Sequence, residues 1–381
     1  MKSTTLTWSP SSGWSEMPFP DLDSEHTLVI VFGGARFRTE NAPIQDLLRT
    51  YPRSQILGCS TAGEIHGPAL LDDSLTVAVT RFDRVGCIAA MANVSGAEGS
   101  FAAGQELTQL LTREDLRAIL VLSDGLNVNG SELVRGLNTD IPQSVIVTGG
   151  LAADGDRFQR TWVLDRSGIE SGRVCAVGLY GEHLRVGHGS RGGWDIFGPE
   201  RLVTRSVGNV LYELDGQPAL ELYKRYLGER ASGLPATALL FPLALRASRE
   251  DNKTLVRTVL AVDEAHQSMT FAGDVPVGHL AQLMSANSER LIDGASRAAI
   301  HTLRQAPSTS DSDILSIAIS CVGRRLVLGE RTEEEIEAAL RELPDRAKQI
   351  GFYSYGEISP YASGHCDLHN QTMTLTTLSE D

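Results

Sequence analysis

The segment Gly58-Cys59-Ser60-Thr61-Ala62-Gly63-Glu64-Ile65 places two glycines, two hydroxyls, a thiol and a carboxylate directly behind an apolar run. Glycines let backbone N–H groups approach a ligand, Ser60 and Thr61 add hydroxyl donors, and Glu64 is able to neutralise an amine. That chemistry suits a small polar molecule such as an amino acid. The same residues also suit a tight turn in which Glu64 caps a backbone N–H. Far downstream, Gly351-Phe352-Tyr353-Ser354-Tyr355-Gly356-Glu357-Ile358 repeats the Gly-x-x-x-x-Gly-Glu-Ile skeleton. There Glu357 repeats the carboxylate, while Tyr353 and Tyr355 offer aromatic walls with hydroxyl tips. Two copies on two halves of the chain predict two elements facing one cleft.

Other arrangements are weaker. A Cys59-dependent enzyme would need a base beside the thiol, and only His66 is near in sequence, which says little about geometry. Gly187-His188-Gly189-Ser190-Arg191-Gly192 fits Gly-x-Gly-x-x-Gly, but Trp194 and Pro199 follow where a dinucleotide site must open a helix. His365-Cys366-Asp367-Leu368-His369 has metal-ligand residue types without a spaced second pair, and reads as a solvated turn near the carboxyl end.

The elements that would position these residues follow from periodicity. Thr27 to Phe32 is a continuous β-branched run, read as a buried strand, and Pro43, Ile44, Leu47 and Leu48 predict a helix after it. Leu75 to Arg81 and Gly86 to Met91 read as a hairpin, as do Val174 to Tyr180 and His183 to Gly187. Ala118 to Leu122 and Ser144 to Thr148 are strands, the second running into the glycine-rich acidic loop 149–156. Pro218 to Tyr226 is a helix with Pro at its start and Gly228 at its end. Beyond it, strand-like runs at Ala238 to Leu245, Ile314 to Cys321 and Gln349 to Tyr355 alternate with helical patterns at Ser288 to Leu303 and Glu333 to Leu343. Pro307 to Ser312 reads as a polar connection. The expected fold is α/β, a mixed α+β chain with two mixed-sheet domains facing a shared ligand cleft. Its expected parts are a polar leader at 1–25, a first domain at 26–214, a second at 215–362 and a tail at 363–381.

At 381 residues, 41% of them hydrophobic, the chain can bury substantial cores. Its 34 basic and 48 acidic side chains give a net charge of -14, which repels phosphate backbones and anionic membranes, so neither nucleic acid nor a membrane is expected as a partner. The stretch Met1 to Asp23 lacks an apolar core of signal-peptide length, and the longest apolar run, Ala238 to Leu245, is broken by Pro242; a cytoplasmic location is expected. The five cysteines are scattered, with no Cys-x-x-Cys pair, and read as reduced thiols.

Gly-Cys-Ser-Thr-Ala-Gly-Glu-Ile at 58–65, Gly-Gly-Leu-Ala-Ala-Asp-Gly at 149–155, Cys321-Val322-Gly323-Arg324-Arg325 and Gly-Phe-Tyr-Ser-Tyr-Gly-Glu-Ile-Ser-Pro at 351–360 closely resemble motifs of the FIST family of bacterial signal-transduction sensors. The likeness runs from about Leu28 to Tyr361 and keeps motif order. It implies an N-terminal and a C-terminal FIST domain binding a small ligand such as an amino acid. It also implies a sensor without its own output domain, signalling through a partner such as a histidine kinase; the oligomeric state is left open. The expected ligand site combines Cys59, Ser60, Thr61, Ala62, Gly63 and Glu64 with Gly150 and Asp154 and with Tyr353, Tyr355 and Glu357. Some members of the family are implicated in haem binding and nitric-oxide sensing. On that alternative His188 is the expected axial ligand; otherwise no cofactor is expected.

Overall fold

Thr27–Gly34 is buried along its whole length, as its unbroken apolar run demands of a strand covered on both faces. It lies parallel to Gln55–Thr61 across the helix Ala42–Thr50, and Leu75–Arg81 returns antiparallel on its other side. The computed structural model, which describes residues 1–251, 253–306, 312–361 and 364–381, repeats this block twice more. Leu116–Ser123, the helix Gly130–Leu137, Ile146–Leu151 and Arg173–Tyr180 form the second block. Ile314–Cys321, the helices Val322–Leu328 and Thr332–Arg341, Ala347–Ser354 and Met373–Glu380 form the third.

The blocks trade strands in a circle. Glu64–His66 and Ala69–Leu71 leave the first block and extend the third beside Ala347–Ser354. Val163–Asp165 and Gly168–Glu170 leave the second and extend the first beside Gln55–Thr61. Gly356–Pro360 and Cys366–His369 leave the third and extend the second beside Ile146–Leu151. At the opposite edges, Gly86–Asn93 pairs with Arg173–Tyr180, Leu184–Arg191 with Met373–Glu380, and Lys2–Ser9 with Leu75–Arg81. The class is therefore mixed α+β, with three interlocked sheets.

Several expected pieces take a different place. The leader contains Lys2–Ser9, a strand of the first sheet, and the tail contains Cys366–His369 and the wholly buried Met373–Glu380. Cys366–His369 is accordingly strand rather than solvated turn, with Cys366 and His369 buried and His365 exposed just before it. The two expected hairpins, at 75–91 and 174–187, are strand pairs whose members lie in different sheets. Apart from Ser312, the polar connection at 307–312 lies outside the described residues.

Between Leu184–Arg191 and the helix Ser288–Gln305 the chain inserts a further sheet, a path of seven strands with an eighth, Gln217–Pro218, paired to Val210–Leu214 off that path. Its order is Leu255–Arg257, Leu243–Arg246, Leu280–Ser285, Asp195–Val207, Val210–Leu214, Ser268–Phe271 and Val259–Asp263, and its core gathers around Val203, Leu220, Tyr223 and Phe271. The strand counted as long enough to serve both arms is Asp195–Val207, which pairs with Leu280–Ser285 at one end and Val210–Leu214 at the other. Val210–Leu214 also pairs with Ser268–Phe271, so this sheet draws strands from both sides of Leu214. Ala238 to Leu245, expected as one strand, is a 3-10 turn at Ala236–Leu240 followed by the strand Leu243–Arg246.

One glycine in each block explains how closely the parallel strands approach. A Cβ on Gly58 would lie 2.3 Å from the Val31 carbonyl oxygen, on Gly149 1.8 Å from that of Val121, and on Gly351 1.8 Å from that of Ala318. Each pair is in direct register. Gly351→Ala is expected to cost about 1–3 kcal/mol in urea unfolding, because backbone atoms are the ones that must move.

Candidate functional site

The three glycine-bearing strands end at one place and close a ring of backbone hydrogen bonds. Ala62 N–H donates to the Tyr353 carbonyl at 2.8 Å, Ala153 N–H to that of Ser60 at 2.9 Å, and Tyr355 N–H to that of Leu151 at 3.2 Å. Gly58, Gly149 and Gly351 stand four residues before the three donors, so the acidic loop at 149–155 is the third copy of the motif. Its copy carries Gly155 where the others carry Glu64 and Glu357, which hides the kinship at the level of sequence.

The two glutamates are engaged close to home. Glu64 accepts from Ser74 N–H at 3.0 Å and Ser74 Oγ at 2.7 Å, and from the Thr61 hydroxyl. Glu357 accepts from Thr372 N–H at 3.2 Å, Thr372 Oγ1 at 2.8 Å and Ser354 Oγ at 2.7 Å. Each carboxyl thus ties a strand-switching turn to the start of the last strand of its block. In the second block Asp124 takes this part, accepting from Gly172 N–H at 2.7 Å. Burial pushes Glu64 up to about 7 and Glu357 up to about 8, against which their hydroxyl and N–H partners pull only partly. Burial would raise Asp124 too, but the N–H groups of Gly172, Leu126 and Asn127 hold it below the ordinary value.

The remaining candidates divide. Thr61, Ala62, Gly63 and Glu64 line a depression of about 490 Å³ with Asp72, Asp73, Asp156, Arg157 and Arg325. Arg325 grips Asp72 through two bonds of 2.8 and 2.7 Å and also donates to the Ala62 carbonyl. Asp154 accepts from the N–H groups of Gln159 and Arg160 at 2.9 and 2.8 Å, and from the Tyr355 hydroxyl. Six of the expected residues line neither this depression nor the larger cavity described below: Cys59, Ser60, Gly150, Asp154, Tyr353 and Glu357. Ser60 Oγ receives Trp162 N–H at 3.0 Å, and the Tyr353 hydroxyl donates to Glu335 at 2.7 Å. A Cβ on Gly150 would press 2.9 Å from an Ile319 methyl. The two glutamates thus do not face one shared cleft.

Cys59 is fully buried, and burial, with Cys175 nearby, pushes its thiol well above the ordinary range, so it is held neutral and away from solvent. His188 is buried within Leu184–Arg191, its ring 6.3 Å from that of His301. Burial, then the neighbouring His301 and His369, lower it to about 4. It lines neither cavity, and a porphyrin could reach it only by opening the sheet; the residues present do not fit haem. The glycines beside it serve packing, since Cβ atoms on Gly187 and Gly189 would meet carbonyl oxygens of the helix Ser288–Gln305 at 2.4 and 2.1 Å. Among the described residues no cluster of three metal-ligating side chains forms.

A larger cavity, about 710 Å³, opens between the ring and the inserted sheet. Leu126, Val128, Leu151, Val322, Leu326 and Tyr355 line it from the ring side, and Leu234, Leu239, Val259, Leu260 and Phe271 from the inserted side. Tyr355 stacks on Phe158 with ring centres 4.6 Å apart. Leu126, Phe158, Leu260 and Leu326 also lie exposed, an apolar edge that needs a cover. Only Tyr355 among these was legible as a site residue. Phe158 sits in a polar loop, and the inserted strands carry no motif.

Residues 27–217 match the FIST N domain, and residues 219–360 the FIST C domain. The chain belongs to the FIST family. FIST domains mark a family of signal-transduction sensors. Two uncharacterized proteins of Mycobacterium tuberculosis, from strains CDC 1551 and H37Rv, are each 29% identical to this FIST chain over 274 residues, covering 69% of it and 68% of their own length. A solved cyanuric acid hydrolase from A. caulinodans is 10% identical, over 78% of this chain and 99% of its own, with a TM-score of 0.20, too slight a likeness to bear on fold or chemistry. No helix among the described residues is long and apolar enough to cross a membrane.

Proposed function

We propose that this FIST protein senses a small ligand held in the cavity between the three-block ring and the inserted sheet. The carrying observation is the cavity itself. At about 710 Å³ it is lined from both bodies and edged by exposed apolar side chains, and it falls within the range of about 300–1,000 Å³ usual for small-molecule sites. A ligand there touches the turn after Leu116–Ser123, the helix Val322–Leu328 and the inserted strands together. It therefore favours one placement of the insertion on the ring, a population shift that a separate output protein such as a histidine kinase would read. The walls call for a ligand with an apolar body rather than a wholly polar one.

The test is a thermal-shift screen of small metabolites followed by calorimetry on Ala272→Trp, which places an indole in the cavity from a half-buried position. Hits are expected to weaken at least tenfold in the variant while its unfolding midpoint stays near that of the natural chain. Hits indifferent to the indole would remove the assignment.

A second reading is supported by the smaller depression, where Arg157 and Asp73 stand beside Thr61 to Glu64. A cation and an anion on one rim suit the carboxylate and ammonium of a free amino acid, and amino-acid hits lost in Arg157→Ala but kept in Ala272→Trp would select it.

A further inference from the structure

The inserted sheet brings an unusual pair of groups to one side of the large cavity. Thr258 lines the cavity and is buried, and its hydroxyl oxygen has no hydrogen-bond partner among the described residues. Its neighbour Arg257 is buried as well, and among the described residues its guanidinium donates only to main-chain carbonyls: Asp274 at 3.0 Å, Val256 at 3.2 Å and Leu368 at 3.1 Å. Among the described residues it makes no ion pair. Asp367 is near but is taken by Lys253 at 2.6 Å, and Asp274 is near without reaching bonding distance.

What separates this charge from the cavity is a glycine. Gly273 lines the cavity, and a Cβ on it would lie 2.9 Å from Arg257 Nε and 3.1 Å from the guanidinium carbon. Any side chain at 273 would push the guanidinium away; with none, Arg257 stands directly behind the wall at Gly273, and Thr258 adds an unused hydroxyl to a chamber whose lining, apart from Asn129, Asp156 and Asn209, is mostly apolar. Burying a cation without a carboxylate partner is costly, and an anion delivered by a ligand offsets that cost more strongly in a low-dielectric site than it would in water.

We infer that the ligand is an organic acid, an apolar body ending in a carboxylate, with the carboxylate at Gly273 where it receives the Thr258 hydroxyl and faces Arg257. The apolar body fills the space toward Phe158 and Leu326. Asp156, the carboxylate on the cavity lining, is exposed, so the charge pattern runs from negative at the solvent side to positive inside. This inference rests on the cavity reading given above and names the class of its ligand.

The experiment compares 4-phenylbutyrate with its neutral amide, 4-phenylbutanamide, by calorimetry on the full chain. The acid is expected to bind at least tenfold more tightly than the amide. In Arg257→Met the acid should fall to the level of the amide while amide affinity holds, and in Thr258→Val the acid should weaken about tenfold. Should Arg257→Met fail to fold, Arg257→Lys, which keeps the charge, should keep the preference for the acid. An amide that binds as tightly as the acid, or neither probe binding while other hits still respond to Ala272→Trp, overturns the acid class and leaves the cavity standing. No response to Ala272→Trp by any ligand overturns both.

Discussion

Arg324→Ala is expected to lower stability by about 3–5 kcal/mol, measured as the shift in urea unfolding, because it leaves a carboxylate buried without its cation. Arg324 and Glu335 are both fully buried, and their bonds of 2.7 and 3.0 Å form the centre of a wider set. The Tyr353 hydroxyl and Ser320 Oγ donate to the other carboxylate oxygen at 2.7 and 3.0 Å. The guanidinium also donates to the Leu291 carbonyl at 2.7 Å and to that of Gly192. One side chain therefore joins the third block's strand ends to the loop from which the insertion departs and to the helix by which it returns. Replacing both members, Arg324→Met with Glu335→Leu, should recover much of the loss, since no charge is then stranded. If the single and double variants are equally unstable, the pair matters through shape rather than charge.

This network also marks how far the sequence could be read. Cys321-Val322-Gly323-Arg324-Arg325 stands out as a motif, but two adjacent arginines read alike, and only packing shows that Arg324 is a buried tie while Arg325 grips Asp72 at the edge of a depression. The long apolar runs, the helix at 288–305 and the Gly-x-x-x-x-Gly-Glu-Ile repeat were legible because periodicity and glycine spacing are local. The strand exchange was not. Leu75–Arg81 and Gly86–Asn93 have the composition and short polar connection of a hairpin, and nothing local distinguishes a strand that turns back from one that crosses to the next sheet. Met373–Glu380 hides for another reason: its threonines and serine break any apolar run, so it falls within the expected tail at 363–381, whereas neighbouring sheets and the helix Ser288–Gln305 cover it. The third motif copy was concealed because its carboxylate moved to Asp124, just past the end of the adjacent strand Leu116–Ser123. The cavity is formed between bodies about a hundred residues apart in sequence, each carrying ordinary apolar residues there.

Glu357→Gln is expected to stabilise the chain in alkaline solution and to do little in acid. An unfolded glutamate releases its proton near the ordinary value of 4.5, while burial holds Glu357 protonated up to about 8. Between those values the folded chain binds the extra proton, so its stability falls as pH rises, by about 1.4 kcal/mol for each unit, and levels off above the window. Glutamine cannot ionise. Its amide can still accept from Thr372 N–H and donate toward Ser354 Oγ, standing in for the neutral acid. The gap between variant and natural chain should therefore open from pH 5 upward and reach on the order of 4 kcal/mol by pH 9. Glu64→Gln should behave alike over a shorter window that closes near 7. His188, held down to about 4 by burial and its histidine neighbours, changes stability in the opposite sense below 6.5, so the difference between variant and natural chain, in which it cancels, is the quantity to follow. Urea midpoints at pH 5.5, 7 and 9 decide the matter. A constant gap would mean that Glu357 is ionised throughout, and the two glutamates would then be charged anchors of the ring rather than neutral clamps. Glu357→Ala, which strands the Thr372 N–H and two hydroxyls, should destabilise at every pH and so separates the loss of the hydrogen bonds from the loss of the charge.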